Sequence, residues 1–177
     1  MPSNPLKCHV ATTNDVAHIW SIINAEVQVM AQAGRTQWQN GYPNPSIIAT
    51  DIEQGVGRVL LLQEHVVGYC AIVYSGEPCY DHIEGGNWLT TSHPSTPCYS
   101  VVHRLAIDPT CTGRGLATQF LTLLLQETAT HGCKSMRIDT NHDNVQMLHI
   151  LPHLGFTRCG NVMLADGPRI AFERIVP

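Results

Sequence analysis

The segment Val101-Val102-His103-Arg104-Leu105-Ala106-Ile107-Asp108-Pro109-Thr110-Cys111-Thr112-Gly113-Arg114-Gly115-Leu116-Ala117-Thr118 constrains the fold more than any other part of the chain. A strand running from about residue 99 ends at 107, Asp108-Pro109 and the glycines at 113 and 115 read as a turn, and the residues after Gly115 as the start of a helix. A strand that turns this tightly into a helix leaves several backbone N–H groups unpaired and pointing one way. With the positive end of the helix dipole they make a site for a phosphate or pyrophosphate. Taken alone, Gly-x-Gly is equally well a plain strand-to-helix turn, so the surrounding residues must decide.

The chain has 177 residues, enough for a single domain (1–177) with a full core. A formal charge of -4 and a pI near 6.2 argue against a broad nucleic-acid or anionic-membrane surface. No apolar run approaches the roughly 18 residues of a membrane span. The start, Met1-Pro2-Ser3-Asn4-Pro5-Leu6-Lys7, has no signal-peptide core, which makes the cytoplasm the expected location. The seven cysteines are scattered, without a Cys-x-x-Cys pair, so neither a disulfide framework nor a structural zinc site is expected.

Val16, Ile19, Trp20, Ile23, Val27 and Met30 form a helical stripe that Thr13 or Asn14 would cap and Gly34 would end. A loop over 38–45 follows, then a short helix capped by Ser46. Residues 58–63 and 66–74 read as a hairpin, and 75–97 as a long irregular connection of the kind that often carries function. The strand ending at Ile107 leads into a helix from Gly115 to about His131. After it come a strand over 134–140, a helix over 144–153, and two strands over 157–164 and 169–175. The turn Asp166-Gly167-Pro168 joins the last two. The fold class expected from this order is mixed α/β: mostly antiparallel, with one parallel strand pair around the central crossover.

Two familiar phosphate sites drop out. No Gly-x-x-x-x-Gly-Lys-Ser/Thr is present, and a dinucleotide fingerprint counted from Gly113 would need glycine where Thr118 stands. His149 and His153 have zinc-compatible spacing, but Ile150 replaces the glutamate of His-Glu-x-x-His and Pro152 disturbs the helix, so no metal is expected. Cys98 near His103 does not make a nucleophile pair on a strand; a packed thiol is the favoured reading.

The stretch from Tyr99 to Phe156 resembles the acyl-CoA-binding half of the GNAT superfamily of N-acetyltransferases. The resemblance rests on Leu105-Ala106-Ile107-Asp108-Pro109, Thr112-Gly113-Arg114-Gly115-Leu116-Ala117, Asn144 and Leu154-Gly155-Phe156, in family order and spacing. It implies a central twisted sheet with helices on both faces and acetyl-CoA as co-substrate. By the same resemblance, Leu105, Ala106 and Ile107 offer backbone groups to the acetyl and pantetheine region. Thr112, Gly113, Arg114, Gly115, Leu116, Ala117 and Thr118 hold the pyrophosphate, and Asn144 helps anchor the cofactor arm or the chain around it. Two positions depart from the family. Thr112 stands where Arg or Gln is usual, and Leu151 stands where many members carry the Tyr that protonates the leaving thiolate.

Acetyl transfer to an amine needs a base, a polarised carbonyl and a proton for the thiolate. His103, two residues before Leu105 and so on its side of a regular strand, is the candidate base; a hydrogen-bonded structural role is the alternative. Asp139 could orient a base or bind the amine, or serve as a surface or capping residue. Trp38, Tyr42, Tyr80 and Trp88 lie on the two irregular segments, and Asp51, Asp81 and Glu84 could attract a cationic amine. The expected function is acetyl transfer from acetyl-CoA to a small-molecule or amino-acid-like amine by direct attack in a ternary complex. A homodimer is compatible with that reading. The alternative is a non-catalytic acyl-CoA sensor on the same fold.

Overall fold

The computed structural model describes residues 6–177; residues 1–5, the start of the segment read above for a leader, lie outside the described residues. The elements run β1 (Lys7–Val10), α1 (Val16–Gln32), α2 (Pro45–Glu53), β2 (Gly57–Leu62), β3 (His65–Val73), β4 (Tyr99–Ile107), α3 (Leu116–Thr130), β5 (Ser135–Thr140), α4 (Val145–His153), β6 (Thr157–Leu164) and β7 (Gly167–Ile175). Short 3-10 turns lie at Thr13–Asp15, Pro78–Tyr80 and Pro109–Cys111. The strands follow the order β1-β2-β3-β4-β5-β7-β6. β4 and β5 pair in parallel, from Tyr99↔Ser135 to Val101↔Arg137, while β1–β2, β2–β3, β5–β7 and β6–β7 are antiparallel. This is the mixed architecture expected from the sequence, with α3 linking the parallel pair.

Four local details differ. β1 was not anticipated, because three of its four residues are exposed and show no alternation. Thr12, rather than Thr13 or Asn14, opens the α1 region: its N–H and hydroxyl both donate to Asp15 Oδ2, at 2.7 and 2.8 Å. Asn44, not Ser46, caps α2, accepting from the Ile47 N–H at 3.1 Å, with Pro45 at the first helical position. The last hairpin turns at Ala165-Asp166, and Gly167 already pairs with Leu164.

The chain divides into two compact units, Met1–Ile72 with His103–Leu123, and Val73–Val102 with Leu124–Pro177. In the first, Ile19, Ile22 and Ile23 of α1 meet Ile48 of α2, Val59 of β2, Tyr69 of β3 and Ala106 of β4. Full burial of each large apolar side chain contributes about 1.5–3 kcal/mol. Trp38, Val27 and Ile52 pack against this cluster.

In the second unit the core is Tyr80, Tyr99, Val101, Val162 and Ala171, with Trp88 and Ile83 packed on it. The long connection after β3 is tied down rather than loose. The buried Glu173 carboxylate accepts from the N–H of Leu89, the hydroxyl of Thr90 and the hydroxyl of Ser135, each at 2.5 Å. It also pairs with Arg137 Nε at 3.1 Å. The Arg137 guanidinium lies 3.9 Å from the Tyr99 ring centre and 4.3 Å from that of Trp88. Glu84 and Asn161 exchange backbone hydrogen bonds at 2.8 Å, bringing Gly86 against β6. A Cβ on Gly86 would sit 1.9 Å from the Cys159 carbonyl oxygen. Gly86→Ala is therefore expected to cost about 1–3 kcal/mol, as overpacking does, and to show as a lower midpoint in urea unfolding. An unchanged midpoint would show that this strand edge can yield.

Candidate functional site

The β4–turn–α3 segment has the build that its sequence implies. Asp108 donates its N–H to the Val67 carbonyl at 2.9 Å, which ends β4 against β3. Its carboxylate then accepts from the N–H and the hydroxyl of Thr110, at 2.9 and 2.7 Å, closing the 3-10 turn. The Thr112 hydroxyl donates to the Pro109 carbonyl at 3.1 Å, so this side chain serves the turn. Gly113 and Gly115 have φ of +76° and +68°, a region where glycine carries no Cβ penalty. Nothing lies within 4 Å of a Cβ at Gly113, and only Gln119 Nε2, at 3.9 Å, near one at Gly115. Backbone conformation, not space, demands these glycines.

Gln119 Nε2 donates to the Arg114 and Gly115 carbonyls at 3.3 and 3.4 Å, steadying the turn from inside α3. The N–H groups of Leu116, Ala117 and Thr118 belong to the first turn of α3, where an α-helix supplies no acceptor of its own. That turn carries no acidic residue, and Arg114 is exposed beside it. The arrangement suits an anion.

β4 is kinked just before this segment. Arg104 has φ of +55°, uncommon for a residue with a long side chain. Its Nε and Nη2 bond Asp51 Oδ2 and Oδ1 at 2.9 and 2.6 Å, and its Nη1 bonds the Tyr42 hydroxyl at 2.7 Å. The buried Tyr69 hydroxyl donates to Asp51 Oδ2 at 2.6 Å. Burial first, and then the Asp51 carboxylate, hold the Tyr69 hydroxyl well above its ordinary pKa, so it remains a donor. Two readings are corrected here. Asp51 does not attract an amine, because it is buried and its charge is matched by a bidentate guanidinium. The alternation that would place His103 and Leu105 on one side is interrupted between them; both are half-buried.

Trp38, at φ +62°, packs against the first unit's core, and Tyr42 is 38% exposed. Within the second unit, Tyr80 is 1% exposed and donates its hydroxyl to Asp139 Oδ2 at 2.7 Å. Arg169 Nε lies 4.0 Å from Asp139 Oδ1. Trp88 Nε1 donates to the Tyr80 carbonyl at 2.9 Å, so Tyr80, Trp88 and Asp139 are brought together. A cavity of about 210 Å³ opens beside them, lined by Tyr80, Asp81, Trp88, Thr90, His93 and Tyr99 among others. Glu84 is exposed and held only through its backbone bridge to Asn161 among the bonds described above. Asn144 caps α4, accepting from the Met147 N–H at 3.2 Å, and so shapes the chain around it. Leu151 is fully buried.

Among the described residues no group of His, Cys, Asp and Glu is placed to hold a metal ion. The His153 ring instead bonds the His149 carbonyl at 2.7 Å. None of the seven cysteines is in a disulfide. Burial, followed by Glu77, pushes Cys79 up to about 12, which leaves it un-ionised at neutral pH. No helix among the described residues is long and apolar enough to cross a membrane.

Sequence reasoning missed Arg104, Tyr69, Arg137 and Glu173. For Arg137 a signal existed: it stands between the apolar Met136 and Ile138 of a strand, and a charge buried there requires a buried partner.

The model of the acetyltransferase (GNAT) family matches residues 25–156. A GNAT-family acetyltransferase from Streptococcus agalactiae is 35% identical, with 98% of this chain and 97% of that one covered and a TM-score of 0.89. The structure of yncA from Salmonella typhimurium with its cofactor acetyl-CoA has the same fold at 18% identity, covering 98% and 95% with a TM-score of 0.69. An aminoglycoside acetyltransferase in complex with coenzyme A shares it at 16% identity, covering 97% and 95% with a TM-score of 0.70. No curated protein sequence matches the chain.

Proposed function

The chain belongs to the GNAT acetyltransferase family, and from that premise we propose that it moves an acetyl group from acetyl-CoA to an amine of a small molecule or amino-acid-like acceptor. The reaction is direct attack in a ternary complex: the amine nitrogen bonds to the thioester carbon, the C–S bond breaks, and CoA leaves as thiolate. The observation that carries the reading is the turn before α3. Gly113 and Gly115, both left-handed, lead into the first turn of α3, whose N–H groups have no acceptor within the helix, with Arg114 beside them. A pyrophosphate is the ligand this turn fits in a family that uses acetyl-CoA.

In the proposal, Leu105, Ala106 and Ile107 offer backbone groups to the acetyl and pantetheine part. His103 takes the proton from the attacking ammonium. Asp139, held by Tyr80 and Arg169, is the carboxylate that orients the base or meets the acceptor amine. In the first unit Trp38 and Tyr42 are the aromatic candidates for a partly apolar acceptor; in the second the candidate is Trp88, on the loop that Tyr80 and Glu84 hold. Because Leu151 has no proton to give, the proton that the nitrogen sheds as the amide forms reaches the departing thiolate through water.

His103→Ala is expected to lower kcat by about 10²–10⁴-fold. An unaltered kcat would assign the base elsewhere. Buried Leu151 also fits a second reading, an acyl-CoA sensor without turnover. An amine-library assay separates the two: a sensor binds acetyl-CoA and releases no CoA thiol with any amine.

A further inference from the structure

We propose that Arg104, clamped by Asp51, is a positioning residue that holds the kink in β4 and thereby sets the direction of the Leu105–Ile107 backbone toward the thioester. The proposal rests on the acetyl-CoA reading of that segment. It starts from a conformation the sequence does not favour. A φ of +55° at an arginine persists only where the surroundings over-determine it, and such residues gather at functional sites.

The surroundings here do over-determine it. Asp51 arrives from α2, Tyr69 from β3 and Tyr42 from the loop before α2, and all three converge on one guanidinium or its carboxylate partner. The fork of Nε and Nη2 on both carboxylate oxygens fixes the guanidinium in its plane, which a lysine could not do. The third arm, to the Tyr42 hydroxyl, fastens the Trp38–Pro45 loop to the same point. A salt bridge serving stability alone would be met by an extended residue. What the kink adds is a change in the course of β4 one residue before Leu105.

The test separates the kink from the guanidinium. Asp51→Asn keeps a partner for Tyr69 and removes the carboxylate that would be left unpaired. On this background, Arg104→Gly keeps a residue that adopts φ +55° freely, whereas Arg104→Ala favours a relaxed, extended strand. Calorimetry with acetyl-CoA and with CoA is read on the wild type and both double variants. The wild type is expected to prefer acetyl-CoA over CoA. The alanine variant should lose that preference, on the order of tenfold for one hydrogen bond to the carbonyl, over and above any loss that CoA itself shows. The glycine variant should keep most of it.

Equal behaviour of the glycine and alanine variants, with a wild type that does prefer acetyl-CoA, overturns the positioning role alone. A wild type that binds neither acetyl-CoA nor CoA overturns it together with the acetyl-CoA reading. Should the double variants not fold, Arg104→Lys decides. It keeps Asp51 neutralised but loses the fork, and retention of the wild-type preference overturns the proposal.

Discussion

Gly115→Glu is expected to weaken acetyl-CoA binding by at least on the order of a hundredfold while leaving the fold in place. Two effects add. A residue with a Cβ at φ +68° costs roughly 1 kcal/mol relative to glycine. A carboxylate at the N-terminus of α3 then opposes an anionic ligand where no acidic residue now stands. The protein itself does not resist the side chain, since the nearest atom to a Cβ is the flexible Gln119 amide at 3.9 Å. Gly115→Ala isolates the backbone part and should weaken binding by only about the tenfold or less that 1 kcal/mol gives. Calorimetry with acetyl-CoA, beside a thermal melt to confirm folding, reads both. If glutamate binds as well as glycine, the pyrophosphate does not sit at this turn.

Asp51→Ala is expected to destabilise the protein by about 3–5 kcal/mol, the usual cost of stranding one partner of a buried ion pair. Arg104, whose side chain is 12% exposed, would lose both bonds of its fork, and the Tyr69 hydroxyl would lose its acceptor. For a chain of this size the melting midpoint should fall by roughly 10 °C or more. Adding Arg104→Met should recover much of the loss, because an apolar pair of similar volume often matches a buried ion pair. The double variant should nonetheless lose its preference for acetyl-CoA over CoA, since the kink has no clamp. Stability and cofactor recognition would then part ways in one protein. A double variant as unstable as Asp51→Ala would mean that the damage lies in packing around α2 rather than in the stranded charge.

The parts of the fold that repeat a local pattern were legible in the sequence. The stripe from Val16 to Met30, the β2–β3 hairpin and the strand–turn–helix around Gly113 and Gly115 are each written in consecutive residues. The parts that depend on meetings between distant residues were not. Asn44 caps α2 because Pro45 starts it, yet Ser46 has an equally good capping side chain. β1 is an edge strand with little burial to reveal it. Glu173 lies 83 residues from Thr90, and nothing local to either announces that one carboxylate ties down the connection after β3. The kink at Arg104 is the sharpest case. An arginine between His103 and Leu105 reads as an ordinary strand residue until Asp51, Tyr69 and Tyr42 are seen to close on it.

The central claim is acetyl transfer from acetyl-CoA to an amine, and one assay addresses it directly. Purified protein is mixed with acetyl-CoA and a panel of primary amines. CoA thiol release is followed by a chromogenic thiol reagent, and the acceptor is examined by mass spectrometry for an added acetyl group. The account predicts thiol release that depends on both amine and enzyme, with one acetyl group on the amine for each thiol released. Acetyl-CoA bound tightly and never consumed would contradict catalysis and leave a sensor. No binding at millimolar acetyl-CoA would contradict the whole account.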